Sequence, residues 1–405
     1  MFIVIGLSDS STPYFPPEVM QIIQEGKVFS GGKRHHEIMR PYLPAQYEWI
    51  DITVPLSTVF KKYNFSFSQT PNLSIIVFAS GDPLFYGFAN TIRREMPDAE
   101  IVLYPYFNSL QLLAHRLLMP YHDMRIVSLT GRPWLEFDKA LIERTPKIGV
   151  LTDTKEHTPD KIACRMWEYG FTSYALYIGE HLGSDTQEQV RKLSLEEAMQ
   201  QHFTSPNCLI LHSEALEKGE PSLQRGFGIA DEAFHILEGR PRMITKSPIR
   251  LLTLQALELS TKHTFWDVGF CTGSVSIEAK LHFPHLQVIS FEVRPEGEEL
   301  MRLNARQFGT PGITALIGDF LQQDLSGLPR PDAVFIGGHG GHLPEMLQQL
   351  KEIMLPSGCI VFNSVSRESG QMFKEIATRF GFTLQPSLYV AINDYNPIEI
   401  IKATK

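Results

Sequence analysis

Trp266-Asp267-Val268-Gly269-Phe270-Cys271-Thr272-Gly273-Ser274 reads as a strand that runs into a glycine-bearing turn and then a helix. In an open α/β sheet such a turn lies at the carboxyl edge of the strands, where glycine lets backbone approach a ligand closely. Glu292 closes the next apolar run, at the distance along the chain expected of a carboxylate that accepts hydrogen bonds from ribose hydroxyls. Together these features point to a cofactor that contains adenosine. Gly269 and Gly273 stand four apart with bulky Phe270 and Cys271 between them, which is not the GxGxxG spacing of a pyrophosphate cradle. S-adenosylmethionine suits the turn better, because Asp267 can pair with its ammonium group. The Ile317-Gly318-Asp319 step can place a second carboxylate at the adenine edge.

A second candidate is the turn within Phe78-Ala79-Ser80-Gly81-Asp82-Pro83-Leu84-Phe85-Tyr86-Gly87. Gly81 allows the turn, Asp82 can accept hydrogen bonds from a cofactor or from backbone amides, and Pro83 fixes φ where a helix can start. Taken alone, a Gly-Asp-Pro turn reads first as structure. His35-His36 and the Gly338–His342 loop invite a metal reading, but neither offers a third ligand or an HExxH helix, so no metal site is expected. His339 is read as a donor to substrate, with a lone proton-shuttle role left open. No residue is singled out as a catalytic acid or base.

The elements that must position these turns follow from the apolar text. Phe2–Ile5, Ile75–Ser80, Ile101–Tyr104, Ile148–Thr152, Ala175–Gly179 and Cys208–His212 are short apolar runs bounded by Gly, Pro, Ser or Asp, with helical text between several of them. Thr264–Val268, Gln287–Glu292, Asp332–Ile336 and Cys359–Asn363 form a second such series, with helices expected over Val275–Leu281 and Pro344–Met354. Ser387–Ile392 and Ile398–Lys402, joined by Asn393–Pro397, predict a closing antiparallel pair. The fold class is therefore α/β, in two unrelated units rather than a duplication. Polar text over Ser213–Arg225, including Glu220 and Pro221, marks the junction between them. The expected division is 1–213, a linker over 214–227, and 228–405.

A chain of 405 residues exceeds one domain. Its formal charge of −8 supplies no global field for a phosphate backbone or an anionic membrane, so neither nucleic acid nor membrane is an expected partner. The Met1–Ile5 run is too short for a signal-peptide core, and no apolar stretch spans a bilayer. Cys164, Cys208, Cys271 and Cys359 lack CxxC spacing, which fits a reduced cytoplasm better than a disulfide framework.

Met243-Ile244-Thr245-Lys246, the Asp267–Ser274 turn and Asp332-Ala333-Val334-Phe335-Ile336-Gly337-Gly338-His339-Gly340-Gly341 resemble the C15-methylating, decarboxylating half of the precorrin-6Y C5,15-methyltransferases of corrin (cobalamin) biosynthesis, over about residues 228–380. The resemblance implies a Rossmann-like class I methyltransferase fold in which Thr245, Gly269, Phe270, Cys271, Thr272, Gly273, Glu292, Asp319 and Phe320 line an S-adenosylmethionine pocket. Phe270 and Cys271 stand where the family has small residues, and His339 where it has serine. Gly31-Gly32-Lys33-Arg34-His35, Gly81–Gly87, Asn108-Ser109-Leu110-Gln111, Leu129-Thr130-Gly131-Arg132 and Tyr177–Gly183 resemble, in order over residues 1–213, the two-lobed tetrapyrrole methylase fold in its C5-methylating branch. That resemblance implies a second S-adenosylmethionine touched by Ser80, Gly81, Asp82, Phe85, Asn108, Ser109 and Leu151, with Gly6 beneath it. Gly6-Leu7-Ser8-Asp9-Ser10 departs from the glycine- and proline-rich first loop common there.

The implied substrate is a corrinoid that carries many carboxylates, for which Lys33, Arg34, Arg242, Lys246 and Arg250 are the candidate cations. A homo-oligomer is expected. Two other readings remain open from the sequence. An RNA methyltransferase shares the second fold, although no basic stripe with interleaved aromatics supports it. A non-catalytic corrinoid-binding protein would account for the altered Gly6–Ser10, Phe270-Cys271 and His339 positions.

Overall fold

The computed structural model describes residues 1–70, 72–219, 226–240, 242–393 and 396–405. The chain forms two compact units, one of Met1–Arg132, Pro146–Cys164 and Ser173–Glu214, the other of Pro133–Thr145, Arg165–Thr172 and Ala215–Lys405. Within the expected linker Glu214–Glu217 makes one helical turn, while residues 220–225, with Glu220 and Pro221, lie outside the described residues. No helix among the described residues is long and apolar enough to cross a membrane.

The first unit contains two sheets. Strands β1 (Phe2–Leu7), β2 (Val28–Gly31), β3 (Glu48–Asp51), β4 (Ile75–Ser80) and β5 (Ile101–Tyr104) are parallel, in the order β3-β2-β4-β1-β5. Residues on both faces of β1 and β4 are buried, which is why their text is continuously apolar rather than alternating. Pairing of Leu7 with Ser80 and of Ile5 with Tyr104 brings the carboxyl ends of β1, β4 and β5 to one edge. The other sheet is β6 (Arg125–Ser128), β7 (Lys147–Leu151), β8 (Ala175–Glu180), β9 (Gln189–Leu193) and β10 (Asn207–His212), ordered β6-β7-β10-β8-β9 and antiparallel except for β6 with β7.

In the second unit β11 (Thr264–Val268), β12 (Gln287–Glu292), β13 (Ile313–Ile317), β14 (Ala333–Ile336) and β15 (Cys359–Ser364) run parallel, ordered β13-β12-β11-β14-β15. Strands β16 (Thr383–Leu384), β17 (Leu388–Val390) and β18 (Ile398–Thr404) complete the sheet, with β18 antiparallel to β15, β16 and β17. The predicted closing pair is present as β17 and β18. Its connection includes residues 394–395, outside the described residues. Beyond the sequence expectation, β18 also pairs with β15 and so lies inside the sheet.

Side chains alternate between two cores. Trp266, Ile289, Val334 and Ile360 face Leu347 and Phe373, from the helices Leu343–Ile353 and Arg367–Arg379. Phe265, Val288, Phe335 and Val361 face Ile249 and Val275, from the helices Ser247–Leu257 and Ser274–His282. Strand order reverses between β11 and β14, so the crevice at their carboxyl ends is the switch point where doubly wound sheets hold ligands. Both units have the α/β class expected, the second with the strand order of a class I methyltransferase.

Candidate functional site

A cavity of about 700 Å³ opens at that switch point. Thr245, Asp267, Gly269, Phe270, Cys271, Glu292, Asp319 and Phe320 line it, joined by Arg242, Lys246 and His339. Each is delivered by local geometry. Gly269 has φ +80°, and a β-carbon there would lie 2.7 Å from the Gly338 nitrogen, so the turns after β11 and β14 can touch only because position 269 is glycine. Phe270 points into a core with Phe234, Ile244, Ile277 and Met301. Cys271 adopts the left-handed conformation at φ +52°. Its N–H donates to Glu292 Oε2 at 2.8 Å, and its thiol donates to the Met243 carbonyl at 3.0 Å. The two bulky residues thus take up core and strap contacts instead of filling the cavity, while burial holds the Cys271 thiol protonated by raising its pKa.

Asp267 is the most unusual group in the cavity wall. It is fully buried, and its Oδ2 accepts from Ser276 Oγ at 2.5 Å. Among the described residues its Oδ1 has no hydrogen-bond partner. Burial, with nearby Glu292 adding, pushes its pKa up to about 7. An ionised carboxylate in that state calls for a cation from the cavity, and the ammonium of S-adenosylmethionine is chemically suited to it. Glu292 is held on both oxygens: beside Cys271, it accepts from the Arg294 backbone at 3.0 Å and its guanidinium at 2.9 Å. Both Arg294 bonds fall on Oε1, so one lone pair remains, on Oε2, for a hydroxyl donor. Asp319 caps a short 3-10 turn by accepting from the Leu321 N–H at 3.0 Å, and Phe320 packs edge-on to Phe291. His339 accepts the Gly341 N–H on Nδ1 at 3.1 Å, which leaves its ring proton on Nε2. Burial, then His342, lowers its pKa.

Three predicted residues do not line the cavity. Thr272 and Gly273 lie beneath the turn, where the Thr272 carbonyl accepts from Asn304 and Gly273 fits against Met301. Arg250 corrects the substrate assignment outright. It is fully buried, and its guanidinium donates to Glu278 at 2.6 Å, to Asp231 at 2.9 Å, and to the carbonyls of Thr245 and Ile229. Those bonds use four of its five N–H groups to tie Ile229, Asp231 and Thr245 to the helix Ser274–His282, and the side chain does not line the cavity. Because Glu278 is also fully buried, Arg250→Met should cost the second unit about 3–5 kcal/mol by stranding that carboxylate. Urea unfolding followed by tryptophan fluorescence measures this.

The cavity also takes in residues not singled out from sequence: Asn363, Val365, Val390, Ile392, Asn396 and Ile398. They come from β15 and the antiparallel tail.

In the first unit most of the predicted residues stand at or just after the carboxyl ends of the parallel strands, while Leu151 ends β7 of the other sheet. Gly6 is obligatory: a β-carbon there would fall 2.0 Å from the Gly81 carbonyl oxygen. Gly81 takes φ +61°, donates to the Leu7 carbonyl at 2.8 Å and accepts from Tyr106. Asp82 accepts the Leu84 N–H at 2.8 Å. Asn108 caps the helix Ser109–Arg116 by accepting from Gln111 at 2.9 Å, so its Oδ1 is already engaged. Phe85 and Leu151 pack on a common core with Leu110 and Cys208. Ser80 Oγ lies 2.9 Å from His35 Nε2, and burial, with Arg34 adding, lowers the His35 pKa to about 4. Lys33 and Arg34 are exposed after β2, and Arg34 pairs with Asp9.

Residues 239–398 match the family model of the precorrin methyltransferase domain. A decarboxylating precorrin-6Y C(5,15)-methyltransferase of Sinorhizobium sp is 30% identical over 383 residues, covering 94% of this chain and 88% of the relative. The decarboxylating cobalt-precorrin-6B C(15)-methyltransferase of Salmonella typhimurium is 38% identical over 139 residues, 34% of this chain and 70% of that one. Among solved structures, precorrin-6Y C5,15-methyltransferase from Geobacter metallireducens GS-15 is 30% identical, with 45% of this chain and 98% of that chain covered and a TM-score of 0.41.

Proposed function

The chain belongs to the decarboxylating precorrin-6Y C(5,15)-methyltransferase family, and on that premise we propose that it methylates C5 and C15 of a precorrin and removes the C12 acetate carboxyl as CO₂, in cobalamin biosynthesis. Residues 1–213 carry the C5 methylation, residues 228–405 carry the C15 methylation with decarboxylation, and 214–227 join them. Each part takes one S-adenosylmethionine. The enzyme works in the cytoplasm as a homo-oligomer, with no nucleic-acid or membrane partner.

The observation that most supports this reading is the unpartnered Asp267 Oδ1 in the wall of a cavity at the switch point. S-adenosylmethionine, when bound, supplies an activated methyl group on a sulfonium. The chain's task is then alignment and exclusion of water rather than strong acid catalysis. Asp267 and Glu292 orient the cofactor, while Asp319 and Phe320 border the adenine. Arg242, Lys246 and His339 meet retained carboxylates of the corrinoid, with Lys33 and Arg34 serving the first unit in the same way. In the first unit Ser80, Gly81, Asp82, Phe85, Asn108, Ser109 and Leu151 form the corresponding cofactor surface over Gly6.

Incubation of the purified chain with reduced precorrin and S-adenosylmethionine should yield a product heavier by two methyl groups and lighter by CO₂, read by mass spectrometry. A product unchanged in mass would overturn the proposal.

A further inference from the structure

Asn363 lies at the carboxyl end of β15 and lines the cavity. Alternation along the strand puts it on the same face as Val361, which packs in the core with Ile249 and Leu254 of the helix Ser247–Leu257. From that helix the fully buried Thr253 meets the amide. Thr253 Oγ1 gives its one proton to the Ile249 carbonyl at 2.8 Å. It therefore accepts from Asn363 Nδ2, also at 2.8 Å, with Asn363 Oδ1 farther away at 3.3 Å. The amide is held one way round. One N–H goes to threonine, and among the described residues the other N–H has no hydrogen-bond partner and the carbonyl oxygen none nearer than Thr253 Oγ1 at 3.3 Å.

The surroundings give this amide its meaning. Among the described residues, everything that lines the cavity from β15 onward is apolar or a neutral amide: Asn363, Val365, Val390, Ile392, Asn396 and Ile398. The cations that line it, Arg242, Lys246 and Arg294, come from earlier segments. A carboxylate that must leave as CO₂ loses its charge in the transition state. Pairing it with a guanidinium would stabilise the starting state more and slow the step, whereas a single fixed N–H in apolar surroundings orients it at small cost.

We propose that the side-chain amide of Asn363, positioned by Thr253, binds the acetate carboxylate that the second unit removes. This rests on the proposed function. In the step, the bond between the methylene and carboxyl carbons breaks and its electron pair passes into the conjugated ring. CO₂ leaves, and one proton from solvent ends on the former methylene carbon, which becomes a methyl group. Asn363 is the group in contact with substrate; Thr253 is a positioning residue.

The test uses the full chain with precorrin and S-adenosylmethionine, and reads CO₂ release alongside corrinoid binding by absorbance titration with S-adenosylhomocysteine present. Asn363→Asp, which sets a like charge against the carboxylate, should slow CO₂ release about 100-fold and weaken corrinoid binding. Asn363→Leu should slow it about tenfold or more by removing the donor. Thr253→Val should lower kcat about tenfold with KM little changed, and Thr253→Ser should restore the rate to within about threefold, a pattern that simple loss of packing does not give. S-adenosylhomocysteine affinity should stay constant throughout. Release by both Asn363 variants at more than half the wild-type rate overturns this inference alone, whatever the stability of the Thr253 variants. Absence of release by the wild-type chain overturns it together with the proposed function.

Discussion

Gly269→Arg is expected to stop C15 methylation and CO₂ release by at least about 1000-fold while C5 methylation continues, so that the product gains one methyl group and keeps its acetate. The β-carbon alone would sit 2.7 Å from the nitrogen of Gly338, 2.9 Å from its carbonyl oxygen and 3.0 Å from its α-carbon. All three are backbone atoms and cannot rotate aside. The substitution also puts an L-residue at φ +80°, which costs about 1–2 kcal/mol before any clash. The rest of the arginine side chain would then occupy the cavity between Asp267 and Glu292. Titration calorimetry with S-adenosylhomocysteine should fall from two sites per chain to one. Persistence of both methylations would mean that the second site lies elsewhere. A fall to zero sites would mean that the first unit holds none.

How far the sequence could take this reading depends on burial. The central strands β4, β11 and β12 have the bounds expected from their text, because strands covered on both faces are written as mostly apolar runs, interrupted in β11 and β12 by the buried Asp267 and Ser290. Strands β3, EWID, and β9, QVRKL, escaped notice because they lie at sheet edges and carry solvent-facing charge. Strand β2 is only four residues long and shows no period.

The site divides in the same way. The Asp267–Cys271 turn and Glu292 were readable because strand, turn and helix are contiguous in sequence. Asn363 was not, because an amide near the end of β15 carries no glycine turn beside it, nor were Val390 and Ile398, which an antiparallel tail brings to the cavity through the pairing of β18 with β15 and of β17 with β18. Arg250 was misread from its charge, although a signal was present. Arg250, Thr253, Leu254 and Leu257 follow i, i+3, i+4, i+7 and share the buried stripe of their helix. A cation on such a stripe must find carboxylates inside the protein, as Arg250 does with Glu278 and Asp231.

Asp267→Asn should separate cofactor binding from stability by moving them in opposite directions. The asparagine can keep the hydrogen bond with Ser276 but carries no charge for an ammonium group. S-adenosylhomocysteine affinity at the second site should therefore fall about 100-fold, the usual loss when one partner of a buried charged pair is removed. In the unliganded chain the wild-type carboxyl has a pKa of about 7, against the ordinary 3.8 of an aspartate in the unfolded chain. Between those values the folded state binds the extra proton, so stability falls as pH rises, by about 4 kcal/mol at most once pH exceeds the folded value. Asparagine does not titrate. The variant should thus melt several degrees above wild type at pH 8 and close to it at pH 4, as read by scanning calorimetry of the unliganded protein. Wild-type binding should weaken up to tenfold per pH unit below 7, because the ammonium group selects the ionised carboxylate, and the variant should lose that dependence. A variant that melts lower at pH 8 and binds with unchanged affinity would show that Asp267 is a structural acid satisfied by Ser276 alone. The opposite pair of results identifies a group kept destabilising in the empty protein because the bound cofactor neutralises it.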